Sequence, residues 1–421
     1  MKFRCCVVAV SAALSGQAAA TSWNPYAKPA DRFEEYLQAA AFGTPGADRA
    51  LEDALAADLE IAPERSLQGY HQLCIDYGML TWDRARVAAC DKYARAKQAA
   101  GKIESGDDDV GMANAFADQP PIRAIGSARV PLSWNAFGSQ NVDVAVNGVR
   151  SSWFFDTGAQ ITVVIQSLAD RMHIRPVGTA IKVGTTTADV TGKVGIIDRL
   201  QIGSAFVENV PVLILSDQQL KLGNVHQIEG ILGLQVMAAF GRIAWVDGGR
   251  NVALGELAPK PGRNAAPIYW HEEGVGVPIR TTRGTVGAFL DTGDNATNWR
   301  PAGTELLDPR LLASAEEHKA HVGGAGGVIE VTQRVLPEVN FKLGSAPIVL
   351  QHVSMVTEDK AGAAQVGMDA VSQFSTFILD FDQMRMDGRL KTASERNKNR
   401  QPTMSPEDVK VDTKKSSAQT K

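Results

Sequence analysis

The chain is poor in the residues that would carry several kinds of chemistry. Its seven histidines form no close-spaced cluster, so a metal centre has no ligand set to start from, and neither a metal nor a cofactor is expected. No Gly-x-Ser-x-Gly turn is present to carry a nucleophilic serine. Charge is nearly balanced, net −4 with a pI near 6.0, which gives no electrostatic footing for a nucleic-acid partner. No stretch stays apolar for the roughly 20 residues that a membrane helix needs, so no membrane span is expected. Cysteine is scarce, with four in 421 residues, two of them at positions 5 and 6. What remains has 44% hydrophobic and 21% charged residues, the make-up of a globular protein with two or three domains.

The first twenty residues read as a secretory leader. Lys2 and Arg4 precede a short apolar run from Cys5 to Leu14, and Ala18-Ala19-Ala20 offers a small-residue cleavage site. A secreted or periplasmic protein follows from that reading, and Cys5 and Cys6 leave with the leader. The remaining pair, Cys74 and Cys90, is either a disulfide or two buried thiols.

Residues 21–100 read as helical. Asp31 caps the run Arg32 to Leu37, Ala47 to Leu59 is rich in Ala and Leu, and Tyr70, Leu73, Tyr77 and Leu80 fall on one face. This region is a loose match to a tetratricopeptide-like hairpin that could hold a protein partner, with a plain bundle or a propeptide as alternatives. Residues 101–124, with Ser105-Gly106-Asp107-Asp108-Asp109 and Pro120-Pro121, read as a linker. From there to residue 390 short β-branched runs alternate with Gly, Asn and Asp turns, as in Val142 to Val146 before Asn147-Gly148. Residues 391–421 are polar and Lys-rich and read as a disordered tail.

The β region contains itself twice. Trp153-Phe154-Phe155-Asp156-Thr157-Gly158-Ala159 has its counterpart in Ala288-Phe289-Leu290-Asp291-Thr292-Gly293-Asp294. Each motif is followed at nearly the same distance by a glycine after an apolar residue, from 156 to Gly233 and from 291 to Gly367. Between these landmarks each copy carries a hairpin signal, Ile202-Gly203 and Leu343-Gly344. The division falls at 125–258 and 259–390.

Apolar residues before each aspartate place it at the end of a buried strand, and Thr-Gly then makes a tight turn. One such carboxylate would be a turn cap. Two equivalent ones can meet, and like charges a few ångströms apart cannot both ionise, so the pair holds one proton. The charged member can then take a proton from water while the protonated one donates to a substrate carbonyl.

Asp156-Thr157-Gly158-Ala159 with Ile231-Leu232-Gly233, and Asp291-Thr292-Gly293 with Val366-Gly367, resemble the active-site and glycine motifs of retroviral-type aspartic proteases. The resemblance covers about residues 130–388. It implies a mainly β fold of two pseudo-symmetric retropepsin- or pepsin-like β-barrel lobes in one chain, behind a small helical region. It implies endopeptidase activity on a peptide or protein, with Asp156 and Asp291 catalytic. Thr157 and Thr292 would bond across the lobes, Gly158 and Gly293 would complete the turns, and Gly233 and Gly367 would pack beneath them. Two flaps would cover the cleft, one around Gly184, Thr185 and Thr186, the other around Gly324, Ala325 and Gly326.

The second copy departs from the pattern. Asp294 stands where the first has Ala159, and Gln365 replaces an apolar residue. A third carboxylate would oppose ionisation of the pair unless it points away, and an inactive peptide-binding or scaffold protein is the alternative reading. His271-Glu272-Glu273 reads as a polar turn.

Overall fold

The structure is a computed structural model that describes residues 5–7, 23–57, 63–80, 84–99, 109–185, 187–222, 226–272, 274–356 and 362–396. It is mainly β, with a fourteen-stranded and a nine-stranded sheet behind a set of helices.

Each aspartate ends the second strand of a hairpin. Gln140–Val146 pairs with Val149–Phe155, and Gly274–Thr281 pairs with Gly284–Leu290. Asn147 and Gly148 join the first pair with φ of 50° and 81°, the two-residue turn whose twist suits a hairpin. Val142, Val144 and Val146 are buried while Asp143 faces out, so one face of that strand builds core. The strand leading to each aspartate also pairs in parallel with a short strand from far along the chain. Phe154 and Phe155 lie beside Ile231 and Leu232, and Phe289 and Leu290 lie beside Gln365 and Val366. Long hairpins, Arg175–Val183 with Val190–Ile202 and Glu316–Gly324 with Gly327–Leu343, fill the intervals.

One set of strands draws on both ends of the β region. Arg242–Val246 pairs with Asn251–Leu254 on one side and with Phe374–Asp380 on the other, and Arg385–Leu390 follows. Trp245 packs in the seam, 5.3 Å from the Phe155 ring and 5.7 Å from the Phe377 ring.

Ahead of the sheets run helices Arg32–Ala41, Ala47–Ala57, Pro63–Leu80 and Arg84–Ala99. Asp31 caps the first, its side chain accepting from the Glu34 N–H. Cys74 and Cys90 form a disulfide between the third and fourth, with Cα atoms 4.8 Å apart. Leu37, Leu51, Leu73 and both cysteines share one apolar cluster. The helices also engage the β region. Gln72 Nε2 donates to Trp270 O at 3.2 Å, Tyr26 Oη donates to Pro267 O at 2.8 Å, and Ile75 and Tyr93 enter the main core.

Three expectations are corrected. Part of the supposed linker, Asp109–Phe116, is a helix. Its Met112 and Phe116 are buried in the β core, so apolar contact with distant strands overrides an acidic, glycine-rich context. The supposed tail begins in ordered structure, since Lys391 is buried and Ala393–Arg396 is helical; residues 397–421 lie outside the described residues. His271 is no surface turn residue. It ends the strand Tyr269–His271, is buried, and stacks on Phe289 at 5.5 Å. Of the expected leader, only Cys5–Val7 is described, a short strand beside His321–Gly323.

Candidate active site

Asp156 and Asp291 come from the two halves of the β region and meet. Both are fully buried. Their backbones are fixed alike: Asp156 N donates to Leu232 O at 3.2 Å, and Asp291 N donates to Val366 O at 3.0 Å. Their carboxyls converge on one donor, since the Gly293 N–H reaches Asp156 Oδ1 at 3.0 Å and Asp291 Oδ1 at 2.9 Å. Gly158 N adds a bond to Asp156 Oδ1 at 2.7 Å, and Asp294 N one to Asp291 Oδ1 at 3.1 Å.

The threonines lock the loops together reciprocally. Thr157 N donates to Thr292 Oγ1, and Thr292 N to Thr157 Oγ1, both at 3.0 Å. Each hydroxyl then donates across to the other strand, Thr157 to Leu290 O at 2.8 Å and Thr292 to Phe155 O at 2.9 Å. All four groups are buried, so each bond is costly to leave unmade.

The glycines are required by space. A Cβ on Gly158 would stand 2.4 Å from Asp291 Oδ1, and one on Gly293 2.4 Å from Asp156 Cγ. Gly233 and Gly367 back the loops. A Cβ on Gly233 would meet the Ile161 backbone at 2.6 Å, and one on Gly367 the Ala296 backbone at 2.6 Å. Their N–H groups bond Thr162 Oγ1 and Thr297 Oγ1, at 3.2 and 3.1 Å.

Burial, and after it the negative charge of Asp291, hold the Asp156 carboxyl well above the usual carboxylate range. Two neighbouring buried carboxyls, of which Asp156 has a raised affinity for protons, can retain one between them, an arrangement able to offer an acid and a base side by side. Residues 142–236 match the family model described as aspartyl protease. The matched span holds the first aspartate loop, its glycine motif and the hairpin between, and it supports a protease in general terms. None of the curated proteins compared with the chain matches it.

In the hairpin inside the protease match, the tip around Gly184 and Thr185 touches the tip of the other long hairpin. Thr185 and Thr187 hydroxyls donate to Ala325 O, the second at 2.8 Å, and Gly326 N donates to Gln219 O at 2.8 Å. Ala325 is fully buried by this contact. Gly324 and Gly327 pair across a two-residue turn whose Gly326 has φ of 107°, and a Cβ there would press on Ala188. Thr186 lies outside the described residues.

Asp294 is buried beside the pair, its Oδ2 sharing the Gln365 Nε2 donor with Asp291 Oδ2. Its Oδ1 accepts from Ala296 N at 2.9 Å, and its Oδ2 from Asn298 Nδ2 at 3.0 Å and Gln365 Nε2 at 2.9 Å. Sequence reasoning missed Asn298 and the buried Arg300, and gave Gln365 no partner. The available signal was a contrast: Thr162-Val163-Val164-Ile165 follows the first loop, and Thr297-Asn298-Trp299-Arg300 follows the second. Among the described residues no group of three or more His, Cys, Asp or Glu could hold a metal ion, and no helix is long and apolar enough to cross a membrane.

Proposed function

We propose that the chain is an aspartic endopeptidase of the single-chain, double-retropepsin kind, in which Asp156 and Asp291 activate a water. The observation that carries this reading is the single Gly293 N–H bonded to both inner carboxylate oxygens, because it sets two acids within reach of one water. The charged carboxylate takes a proton as the water oxygen attacks the peptide carbonyl carbon. The protonated carboxyl gives its proton to the carbonyl oxygen, and a gem-diol forms. The proton taken from water then passes to the amide nitrogen, the C–N bond breaks as a gem-diol hydroxyl returns its proton to the other carboxylate, and an acid and an amine leave with the pair ready again.

The two halves, 125–258 and 259–390, are taken as lobes that bind an extended peptide between them. The touching tips at Thr185 and Thr187 and at Ala325–Gly326 are read as flaps that part for the peptide and close to exclude water. The helical region is read as a lasting part of the enzyme rather than a removable propeptide, supported by Tyr93, Met112 and Phe116 lying in the same core as the strands. The leader and the Cys74–Cys90 bond together favour a secreted or periplasmic site of action. The departure that favoured a binding-only protein, Asp294, has its charge directed at Asn298 and Gln365.

The test is cleavage of a peptide library at several pH values. Wild type is expected to cut, and Asp156→Asn and Asp291→Asn each to lose at least about a thousandfold, as for removal of a general acid or base. An inert wild type, or either variant cutting at the wild-type rate, ends this reading.

A further inference from the structure

The two aspartates have the same backbone setting but different neighbours. Behind Asp156 stand Ala159, Val163, Ile165 and Ile231, all buried and apolar. At the matching places behind Asp291 stand Asp294, Asn298, Arg300 and Gln365, aligned by the shared roles of Thr162 and Thr297 and by the strand register. Gln365 is the centre of this group. Its Nε2 donates to Asp291 Oδ2 at 2.8 Å and to Asp294 Oδ2 at 2.9 Å. Its Oε1 accepts from Arg300 Nη2 at 3.2 Å. That guanidinium settles the amide's orientation, because the flipped form would turn a carbonyl toward two carboxylates and an NH2 toward a cation.

Asp156 has no counterpart to this donor. Ile231 occupies the place of Gln365, and among the described residues the buried Oδ2 of Asp156 receives no donor. An amide N–H stabilises the charged form of the carboxylate it reaches. When two carboxyls share one proton, the better-donated one stays ionised.

Resting on the reading of the pair as catalytic, we propose that Gln365, oriented by Arg300, holds Asp291 as the charged member that accepts the water proton and leaves the shared proton on Asp156. Asp156 is then the group that protonates the substrate carbonyl. Gln365 and Arg300 are positioning residues. The charged groups around Asp291 are Asp156 from the opposite loop, Asp294 from its own loop, and Arg300 through Gln365. Asp369, on the helix Met368–Val371, is engaged by Thr297 N and Oγ1 at 2.9 and 2.6 Å. The raised proton affinity of Asp156 accords with this division.

The experiment pairs two readouts on the intact chain: the pH profile of kcat on a cleaved peptide, and 13C NMR titration of the aspartate carboxyls. Gln365→Ile places the first loop's residue in the second. Loss of the donor should move the acidic limb of the profile up by about one pH unit, and lower kcat more than it changes KM. Asp294→Ala should move the same limb down, because a like charge leaves. In an Asp156→Asn background the Asp291 titration should rise with Gln365→Ile; in an Asp291→Asn background the Asp156 titration should not respond. Gln365→Met, near in shape and without a donor, stands in should the isoleucine variant not fold. An unmoved profile and titration, or Asp156 responding as strongly as Asp291, overturns the proposal. If wild type cuts no peptide, the peptidase reading falls separately, and the titration still decides which carboxyl holds the proton.

Discussion

The loop at Asp156 and the loop at Asp291 differ in what lies behind them, not in how they are built. Each ends a strand, crosses to the other through a threonine, and needs a glycine where the partner carboxyl passes. Behind one is close-packed hydrocarbon, and behind the other a chain of amides, a carboxylate and a guanidinium. The comparison separates two demands. Bringing two acids together requires symmetry of the backbone. Giving them different jobs requires asymmetry of the side chains around them.

The backbone half of that comparison can be broken most severely at the glycines. Gly158→Ala and Gly293→Ala each push a methyl onto the other loop's carboxyl, so each should cut the rate of peptide cleavage by about a hundredfold or more, the usual cost of ångström-scale misplacement. The two losses should be alike, and a mild effect at one position would show that the loops are not equivalent there. Next in size are Thr157→Val and Thr292→Val. Either leaves buried backbone groups without a partner, at about 1–3 kcal/mol for each group, read as a lowered unfolding midpoint in denaturant. The two hydroxyls belong to one buried network, so the double variant should differ from the sum of the singles by about 0.5–3 kcal/mol.

The smallest effect sharpens the asymmetric half. A carboxyl whose folded pKa lies above its unfolded value binds more protons folded than unfolded, so it takes stability away as pH rises above about 4. Asp156→Asn should therefore raise the melting temperature at pH 7 and change it little below pH 4. Asp291→Asn should gain less, because its new NH2 can face the Gln365 donor. Equal gains for the two variants would count against different surroundings.

Short-range rules made much of this legible. Asn147-Gly148, Ile202-Gly203 and Leu343-Gly344 announce hairpins through backbone conformation alone, and all three turns join paired strands. The repeat of Asp-Thr-Gly could be seen because each copy has the same residues at the same offsets. What could not be read depends on partners distant in sequence. Asp294 is held by Asn298 and Gln365, and Gln365 lies 71 residues further on. Asp109–Phe116 is a helix because Met112 and Phe116 find the β core, although the acidic, glycine-rich residues around it signal a linker. Spacing alone left Cys74 and Cys90 undecided, since a bond there depends on how two helices pack.

The seam at Arg242–Val246 has a consequence for how the molecule comes into being. That strand is completed by Phe374–Asp380, more than 120 residues further along the chain. Until they emerge, the nascent first half presents an open edge to any other chain nearby, which is a hazard for aggregation. During the same interval Asp156 has no partner. The paired site therefore comes into existence only once the rest of the polypeptide has arrived.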